Sequence, residues 1–288
     1  MESQINLMSF LRSNGIPCPR VIKNKFDENF AVVEMCKNVS LPVRVFEFME
    51  GETLESVGFT QEAASIVGDL LAKFHNVTDN FQDDVIKKHG VPIAIENYQG
   101  LLRELHLLFG KNMIDNENSQ ICTDVLKKLE IEIFRNYDFF EYGLIHSDLN
   151  ETNVLLIKEG DNTLKVSSLL DFGDTHYSLR LFDISSTLLY IYLGIHSQNV
   201  KNMKNLANAF LTAYKKQRKN NSFIKEIKHC QLAMCARLIC SLLYGLRTVR
   251  INYRGDDPSY VLKTQANGWT LLKFLSTENL DLPSTIRT

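Results

Sequence analysis

A polar loop followed by a hairpin pattern limits the folds open to this chain more than any other feature of the sequence. Two apolar runs typical of strands follow Asn153, and polar residues that favour a turn separate them: the runs are 154–157 and 166–170, and the turn is 158–163. The second run leads into the tetrapeptide DFGD at residues 171–174. A tight hairpin would therefore return Asp171 beside Asn153.

The spacing inside the loop indicates its chemistry. Asp148 is followed five positions later by Asn153. In the protein-kinase layout this spacing separates the catalytic-loop aspartate from an asparagine that holds a metal ion. His146 completes an HxD motif, and Asp171 opens a DFG motif. Each motif alone also has a structural interpretation, in which the acids merely cap turns. Their ordered combination predicts a phosphoryl-transfer centre with one base and two metal ligands.

Composition is that of an ordinary globular protein. The 288 residues are 44% hydrophobic and 23% charged, which excludes large-scale disorder. The net charge of -2 leaves no general basic footprint, so we predict no nucleic-acid partner, and we interpret the basic cluster 215–219 as a solvated helix end. The six cysteines show no paired spacing, which favours reduced, buried thiols and a cytoplasmic location.

The most apolar segment, residues 230–246, is 17 residues long and contains Arg237 near its centre. An arginine at that depth of a bilayer costs about 2.5 to 3.5 kcal/mol. The segment therefore predicts a buried helix and no membrane partner.

Apolar periodicity predicts a largely helical chain after a few strands. The predicted helices are 3–13, 60–75 (capped by Thr60), 97–109, 121–137, 200–214 and 223–249, and the polar stretch 110–120 is predicted as a loop. Strands are predicted at 30–35 and 42–49. In a kinase-like chain the second strand leads into the hinge, whose backbone binds the nucleotide base, so Phe48, Met49 and Glu50 are the candidate hinge residues.

The segment after Asp174 is short. A helical pattern resumes by about Asp183, and no Ala-Pro-Glu tripeptide follows. Protein kinases place a long activation segment here to bind a peptide. The short connection therefore predicts a small-molecule acceptor.

These motifs resemble the aminoglycoside phosphotransferase and choline kinase superfamily, and within it the hydroxylysine kinase branch. The similar segments are IHSDLNETNVLL, LLDFGD, FLRSNGIPCP and the region from RLICSLLYGLR to GWTLLKFL. The resemblance implies an α+β, protein-kinase-like fold of two lobes, with an incomplete small lobe and a mainly helical large lobe. It also implies transfer of the γ-phosphate of GTP, or ATP, to the hydroxyl of 5-hydroxy-L-lysine or a related amino alcohol, with Mg2+.

Residue roles follow from the same resemblance. Asp148 would be the catalytic base, and Asn153 and Asp171 would bind Mg2+. His146 would brace the loop more than perform chemistry, and Asp183 would help to hold it.

Three further residues are weaker substrate candidates. Glu151 and Asp174 would either bind substrate amines or make structural hydrogen bonds. Arg247 would meet a substrate carboxylate or form an internal salt bridge.

The start of the chain departs from the family pattern. A phosphate-covering loop with closely spaced glycines and a phosphate-gripping lysine would precede the first helix, and neither occurs before Glu50. Glu2 would be the helix glutamate that pairs with such a lysine. We therefore expect residues 1–50 to be the remnant of a nucleotide-binding lobe and 51–288 the catalytic lobe of an amino-terminally shortened kinase. The alternative is a pseudokinase that binds nucleotide without catalysis. Ser147 replaces the glycine usual between the His and Asp, which we expect to be tolerated.

Overall fold

The computed structural model describes residues 1–88, 90–91, 94–160, 163–195, 199–252, 257–259 and 261–285. Its strands are β1 Val21–Ile22, β2 Ala31–Cys36, β3 Val39–Val43, β4 Val45–Phe46, β5 Glu52–Thr53, β6 Tyr142–Ile145, β7 Val154–Glu159, β8 Thr163–Leu169 and β9 His176–Leu179. Its α-helices are α1 Glu2–Ser13, α2 Leu54–Val57, α3 Gln61–Thr78, α4 Asp84–Lys87, α5 Tyr98–Gly110, α6 Asn116–Glu132, α7 Arg180–Gly194, α8 Val200–Gln217, α9 Phe223–Glu226, α10 Cys230–Asn252, α11 Gln265–Thr277 and α12 Leu282–Thr285. Short 3-10 helices are Ile95–Asn97, Phe134–Phe139 and Ile227–His229.

The first helix has the predicted extent and the predicted stop. Leu7 and Leu11 are fully buried on one face of α1. Gly15 has φ +82°, a conformation that glycine adopts without steric cost, and the Ile16 amide then donates to the Leu11 carbonyl at 3.0 Å. The chain leaves α1 through this turn and enters the first strands.

Four short strands, and not the predicted two, precede Glu50. β2 pairs with β3 as an antiparallel hairpin, and β1 pairs with β4. The predicted strand 42–49 is interrupted at Arg44 and changes partner there, because β3 joins the hairpin while β4 joins β1. Every residue of β2 and β3 is exposed.

Helix α3 is the predicted amphipathic helix and packs closely on α8. Thr60 caps it, since its hydroxyl accepts a hydrogen bond from the Ala63 amide at 3.1 Å. Gly68 permits the close approach, because a Cβ there would lie 2.2 Å from the Phe210 carbonyl oxygen of α8. The buried face of α3 continues into one core that includes α7, α8 and α10.

The apolar segment predicted as a buried helix lies in this core. Among the described residues, Phe223–Ile251 is long and apolar enough to cross a membrane by length and composition, and 61% of its most apolar window is buried inside the protein. Arg237 on α10 is 8% exposed and contacts polar groups of other elements. Such burial is typical of the core helix of a large lobe.

Two sequence predictions are wrong in this region. Part of the stretch predicted as a loop is helical, because Asp115 caps α6 by accepting from the Asn118 amide at 2.7 Å. In the cluster predicted as a solvated helix end, Arg218 is 4% exposed. It pairs with Asp79 and Glu141, which fasten the end of α8 to α3 and to the chain just before β6.

The strands β5, β7 and β8 form one antiparallel sheet, and β6 pairs with β9 beside it. The polar loop between β6 and β7 is therefore anchored by a strand at each end. Helix α7 follows β9 directly, and because β9 runs antiparallel to β6 the first residue of α7, Arg180, lies at the start of β6, where its amide donates to the Glu141 carbonyl at 2.9 Å.

Candidate active site

The predicted hairpin forms and brings Asn153 next to Asp171. Val154 pairs with Leu169 at the open end of the β7–β8 hairpin. The Leu170 amide then donates to the Asn153 carbonyl at 2.8 Å. Two residues that are distant in sequence thus lie together at the cleft, because antiparallel pairing fixes the register of the two strand ends.

Asp148 is held by hydrogen bonds to both carboxylate oxygens. Tyr190 donates its hydroxyl to Oδ1 at 2.7 Å, and the side-chain amide of Asn150 donates to Oδ2 at 3.0 Å. The Asn153 amide nitrogen donates to the Asp148 carbonyl at 2.9 Å and lies 3.3 Å from Oδ2. All these donors favour a carboxylate of defined orientation.

A cation lies behind this carboxylate. Arg237 donates through Nη2 to the Tyr190 hydroxyl at 2.6 Å, and the same nitrogen is 3.5 Å from Asp148 Oδ1. Burial raises the pKa of Tyr190 well above its ordinary value, so the phenol stays protonated and donates to Asp148. Sequence reasoning missed both residues as site residues; the available signal was a lone arginine within an apolar helix.

Asp183 on α7 is a buried carboxylate that hydrogen-bonds to the polar loop between β6 and β7. It accepts from the His146 amide at 2.8 Å and from the Ser147 amide at 2.9 Å. His75 Nε2 donates to it at 3.0 Å, and Tyr214 donates to His75 Nδ1 at 2.7 Å. Burial lowers the pKa of His75 to about 3, so the ring is neutral. Sequence reasoning missed His75, whose position in an amphipathic helix did not distinguish it from a core residue.

Ser147 has φ +72°, in the left-handed region that favours glycine. Its amide is one of the two that donate to Asp183, so the strained conformation has a definite function in the loop. The serine at this position is accommodated at a small conformational cost, of the order of 1 kcal/mol.

His146 links the loop to the residue before Asp171. Its Nε2 donates to the Leu170 carbonyl at 2.9 Å, which requires the proton on Nε2. Its Nδ1 is buried and has no hydrogen-bond partner in the described part of the chain. The ring also packs against Phe74 and Phe172, with ring centroids 6.0 Å and 5.2 Å away, and these contacts fit bracing more than proton transfer.

Asn153 and Asp171 supply oxygen ligands of the kind that Mg2+ prefers. The side-chain nitrogen of Asn153 donates to the Asp148 carbonyl, which leaves the side-chain oxygen of Asn153 to coordinate a metal ion. Asp171 has φ +56°, and its Oδ1 accepts from the Gly173 amide at 3.0 Å. Among the described residues no group of three or more His, Cys, Asp or Glu side chains is placed so that it could hold a metal ion. The residues present fit Mg2+.

Two further carboxylates, those of Asp174 and Glu151, lie near Asp148. Burial raises the pKa of Asp174, and the neighbouring Asp148 raises it further. Burial likewise raises the pKa of Glu151, whose carboxylate is 4.0 Å from Lys263. Arg247 is not part of this group, since its Nε lies 3.8 Å from a carboxylate oxygen of Glu104 in an ion pair between α10 and α5. Its observed contact is the internal salt bridge that the sequence left open.

A cavity of about 660 Å3 lies between α1, the hinge segment and Asp171. Phe48 and Met49 line it, and Phe48 is 88% exposed. Glu50 is not among the lining residues; its carbonyl accepts from the Ser167 hydroxyl. Gly51 has φ +140° and crosses β7 so closely that a Cβ would be 3.0 Å from the Leu156 carbonyl oxygen. The cleft is thus bounded by two of the candidate hinge residues and by the DFG motif.

A larger cavity of about 930 Å3 lies elsewhere, between the end of α1, α3, α8 and β8. Its lining includes none of the predicted site residues. The smaller cavity contains Asp171 and two hinge candidates, so chemistry and not size selects it as the candidate active site.

This fold and site define a class. An Asp-Asn-Asp centre assembled by a hairpin, beside a hinge-bounded cleft and under a mainly helical lobe, is typical of kinase-like phosphotransferases. A profile of the APH family, described as the phosphotransferase enzyme family, matches residues 1–218. The chain belongs to this family.

Curated relatives have low sequence identity. The hydroxylysine kinase of Bos taurus is 24% identical over 202 residues, which cover 67% of this chain and 53% of that protein. The homoserine kinase of Rhodopseudomonas palustris (strain BisA53) is 27% identical over 216 residues, covering 74% of this chain and 58% of that protein. The chain therefore spans about half the length of the curated relatives it matches.

Solved structures share the fold. A microcompartment-associated aminopropanol kinase superposes with a TM-score of 0.70 at 15% identity, covering 98% of this chain and 83% of its own. An amicoumacin kinase in complex with AMP-PNP and Ca2+ gives a TM-score of 0.66 at 16% identity, covering 96% of this chain and 76% of its own. The protein thus has the predicted α+β, protein-kinase-like fold.

Proposed function

We propose that the protein transfers the γ-phosphate of GTP or ATP to the hydroxyl of 5-hydroxy-L-lysine or a related amino alcohol. The observation that carries this proposal is the convergence of Asp148, Asn153 and Asp171 at the end of one hairpin. The hydroxylysine and homoserine kinases among the relatives support an acceptor that carries both a hydroxyl and an amine.

Asp148 is the base in this mechanism. It accepts the proton of the acceptor hydroxyl while the oxygen forms a bond to the γ-phosphorus, and the bond from that phosphorus to the nucleotide diphosphate breaks. The Tyr190 hydroxyl orients the Asp148 carboxylate, and Arg237 stabilises its charge from behind. Mg2+, held by Asn153 and Asp171, would neutralise charge on the phosphates.

Acceptor recognition follows from charge. Asp148 lies close enough to Asp174 and Glu151 to raise the pKa of each carboxyl group, and an ammonium group of the acceptor would relieve this repulsion. Arg237 is a buried cation beside these carboxylates, with its Nη2 3.5 Å from Asp148 Oδ1. We assign the substrate amine to Asp174 and Glu151.

The remaining assignments belong to the same proposal. Residues 1–50 would form the nucleotide side of the cleft, with the Phe48, Met49 and Glu50 backbone reading the base, and 51–288 the catalytic side. The protein would act in the cytoplasm on small molecules, without nucleic-acid or membrane partners. The buried free cysteines are compatible with a reducing location.

The test is phosphate transfer by the purified protein with Mg2+ and either GTP or ATP. Acceptors are 5-hydroxylysine, homoserine and ethanolamine, and 31P NMR identifies the phosphorylated product. Asp148→Asn should lower kcat by about 10²- to 10⁴-fold, because it removes the base. Asp124→Asn, at an exposed position on α6, is the matched control and should leave kcat unchanged. Phosphorylation of none of the acceptors, or full activity of Asp148→Asn, would refute the proposal.

A second candidate is a nucleotide-binding protein without catalysis. The observation that favours it is the fully exposed β2–β3 hairpin, which covers no part of the cleft lining. Binding of Mg-nucleotide by calorimetry, with no transfer to any acceptor and no loss of binding in Asp148→Asn, would identify this function.

A further inference from the structure

Arg44 occupies an unusual place in the cleft. It lies between β3 and β4, where the predicted continuous strand breaks, and its side chain lines the 660 Å3 cavity together with Asp171. Among the described residues that line this cavity, Arg44 is the only cation. The interruption of the strand thus places the Arg44 guanidinium in the same cleft as Asp171, the proposed metal ligand. An anion bound to a metal ion at Asp171 would lie in this cleft too.

The guanidinium is only partly satisfied by protein. Its Nη2 donates to Gln4 Oε1 at 2.9 Å, and its Cζ lies 4.9 Å from the centre of the Phe46 ring. Its Nη1 is buried and has no hydrogen-bond partner among the described residues. Buried arginine N–H groups are normally paired, so an acceptor is expected at this position.

Asp171 acts on Arg44 through charge. Burial lowers the pKa of Arg44, and the Asp171 carboxylate raises it again. An arginine remains protonated in proteins, so the cleft contains a permanent positive charge beside a proposed metal ligand. Phosphate oxygens that bind a metal at Asp171 would lie close to that charge.

Gln4 fixes Arg44 relative to the DFG motif. Its Oε1 accepts from Arg44, and its Nε2 donates to the Phe172 carbonyl at 3.2 Å. The sequence suggested Glu2 as the helix glutamate that pairs with a phosphate-gripping cation. In the structure the Glu2 carboxylate instead accepts from the Asn29 side chain at 3.3 Å. Helix α1 therefore presents a neutral amide to the cleft, which leaves the charge of Arg44 uncompensated by this contact.

We propose that Arg44 binds the phosphates of the nucleotide, with Nη1 donating to a phosphate oxygen and Gln4 holding the guanidinium in place. This inference rests on the proposed function, since it assigns a ligand contact to the same cleft. Arginine suits phosphate because its planar N–H groups match the oxygens of the anion. Arg44 is thus a binding residue for the donor.

The experiment separates phosphate recognition from a structural role. Binding of the Mg-nucleoside triphosphate, the matching nucleoside and inorganic triphosphate is measured by calorimetry for the wild type, Arg44→Gln and Arg44→Lys. Arg44→Gln should weaken binding of both triphosphates by about 10- to 100-fold, and nucleoside binding by less than twofold, since only a charge-assisted hydrogen bond to phosphate is lost. Arg44→Lys should be intermediate. Lys23→Gln, an exposed cation paired with Asp27, is the matched control and should bind like the wild type.

Two outcomes count against Arg44. If Arg44→Gln binds both triphosphates as tightly as Lys23→Gln does, the inference is wrong while the proposed function stands. It is also wrong if nucleoside and triphosphate binding weaken equally, because that result indicates a structural role. A wild type that neither binds nor transfers from GTP or ATP overturns the proposed function and this inference with it.

Discussion

The two long hairpins of the protein have similar local patterns and opposite surroundings. In β2–β3 every residue is exposed, including apolar ones such as Val32 at 66% and Leu41 at 50%. In β7–β8 the residues nearest the loop are buried, with Val154 at 0% and Leu169 at 1%. A two-stranded hairpin is marginal by itself, so the difference lies in what covers it. The burial of β7–β8 and the exposure of β2–β3 therefore reflect the packing around each hairpin and not a difference in local strand pattern.

We expect the largest effect at Asp183 of α7, which hydrogen-bonds to the polar loop between β6 and β7. Asp183→Ala should destabilise the protein by about 3 to 5 kcal/mol, because two loop amides and His75 lose a buried charged partner. Urea unfolding followed by circular dichroism measures this. A loss below about 1 kcal/mol would show that the loop is held by other contacts.

The next effect compares one substitution in the covered hairpin with the same one in the exposed hairpin. Leu156 on β7 is 1% exposed, so Leu156→Ala should cost about 2 to 5 kcal/mol through lost burial and a residual cavity. The measurement is the urea midpoint at constant m-value. The matched substitution in the exposed hairpin is Leu41→Ala on β3. Equal losses of stability for Leu156→Ala and Leu41→Ala would contradict the comparison.

Glu226 on α9 should contribute to the pH dependence of stability. Burial raises the pKa of Glu226 from its ordinary value to about 7, although the hydrogen bond from the Glu141 amide acts to lower it. The pKa of Glu226 is higher in the folded state than in the unfolded state. Protonation of Glu226 therefore stabilises the folded protein; this contribution is complete below the unfolded-state pKa and is lost as pH rises through 7. Glu226→Gln should therefore raise Tm relative to the wild type at pH 8, with a smaller difference at pH 5. A difference independent of pH would contradict this assignment.

Tyr190 tests the support of the base from outside the hairpin. Tyr190→Phe removes the hydrogen bond to Asp148 and should cost about 1 kcal/mol in stability. If the proposed function holds, kcat should fall by about tenfold with little change in KM, since orientation and not binding is lost. A change in KM alone would assign Tyr190 to substrate binding instead.

The smallest effect is expected in the exposed hairpin. Leu41→Ala on β3 should change stability by about 0.5 kcal/mol or less, because the side chain is half exposed before the substitution. The urea midpoint provides the direct comparison with Leu156→Ala. A loss above about 2 kcal/mol would mean that the hairpin is covered by another part of the protein in solution.

Local features were readable from the sequence because neighbouring residues cause them. The glycine stop of α1, the Thr60 cap and the β7–β8 hairpin depend on side chains within a few positions, and all three are present. Asn153 and Asp171 meet for the same reason. The break at Arg44 was not readable, because an apolar run continues through it and its two halves choose different partner strands.

By itself the sequence determined which residues stand at the candidate centre, since spacing and turn chemistry are local. Tertiary structure alone decided what surrounds them. Tyr190 reaches Asp148 across 42 positions, and His75 reaches Asp183 across 108. The rotation of α1 about its axis places the side chain of Gln4, and not that of Glu2, in contact with Arg44 in the cleft. Such contacts depend on how helices pack after the chain has folded, and packing is set by the whole core rather than by any one segment.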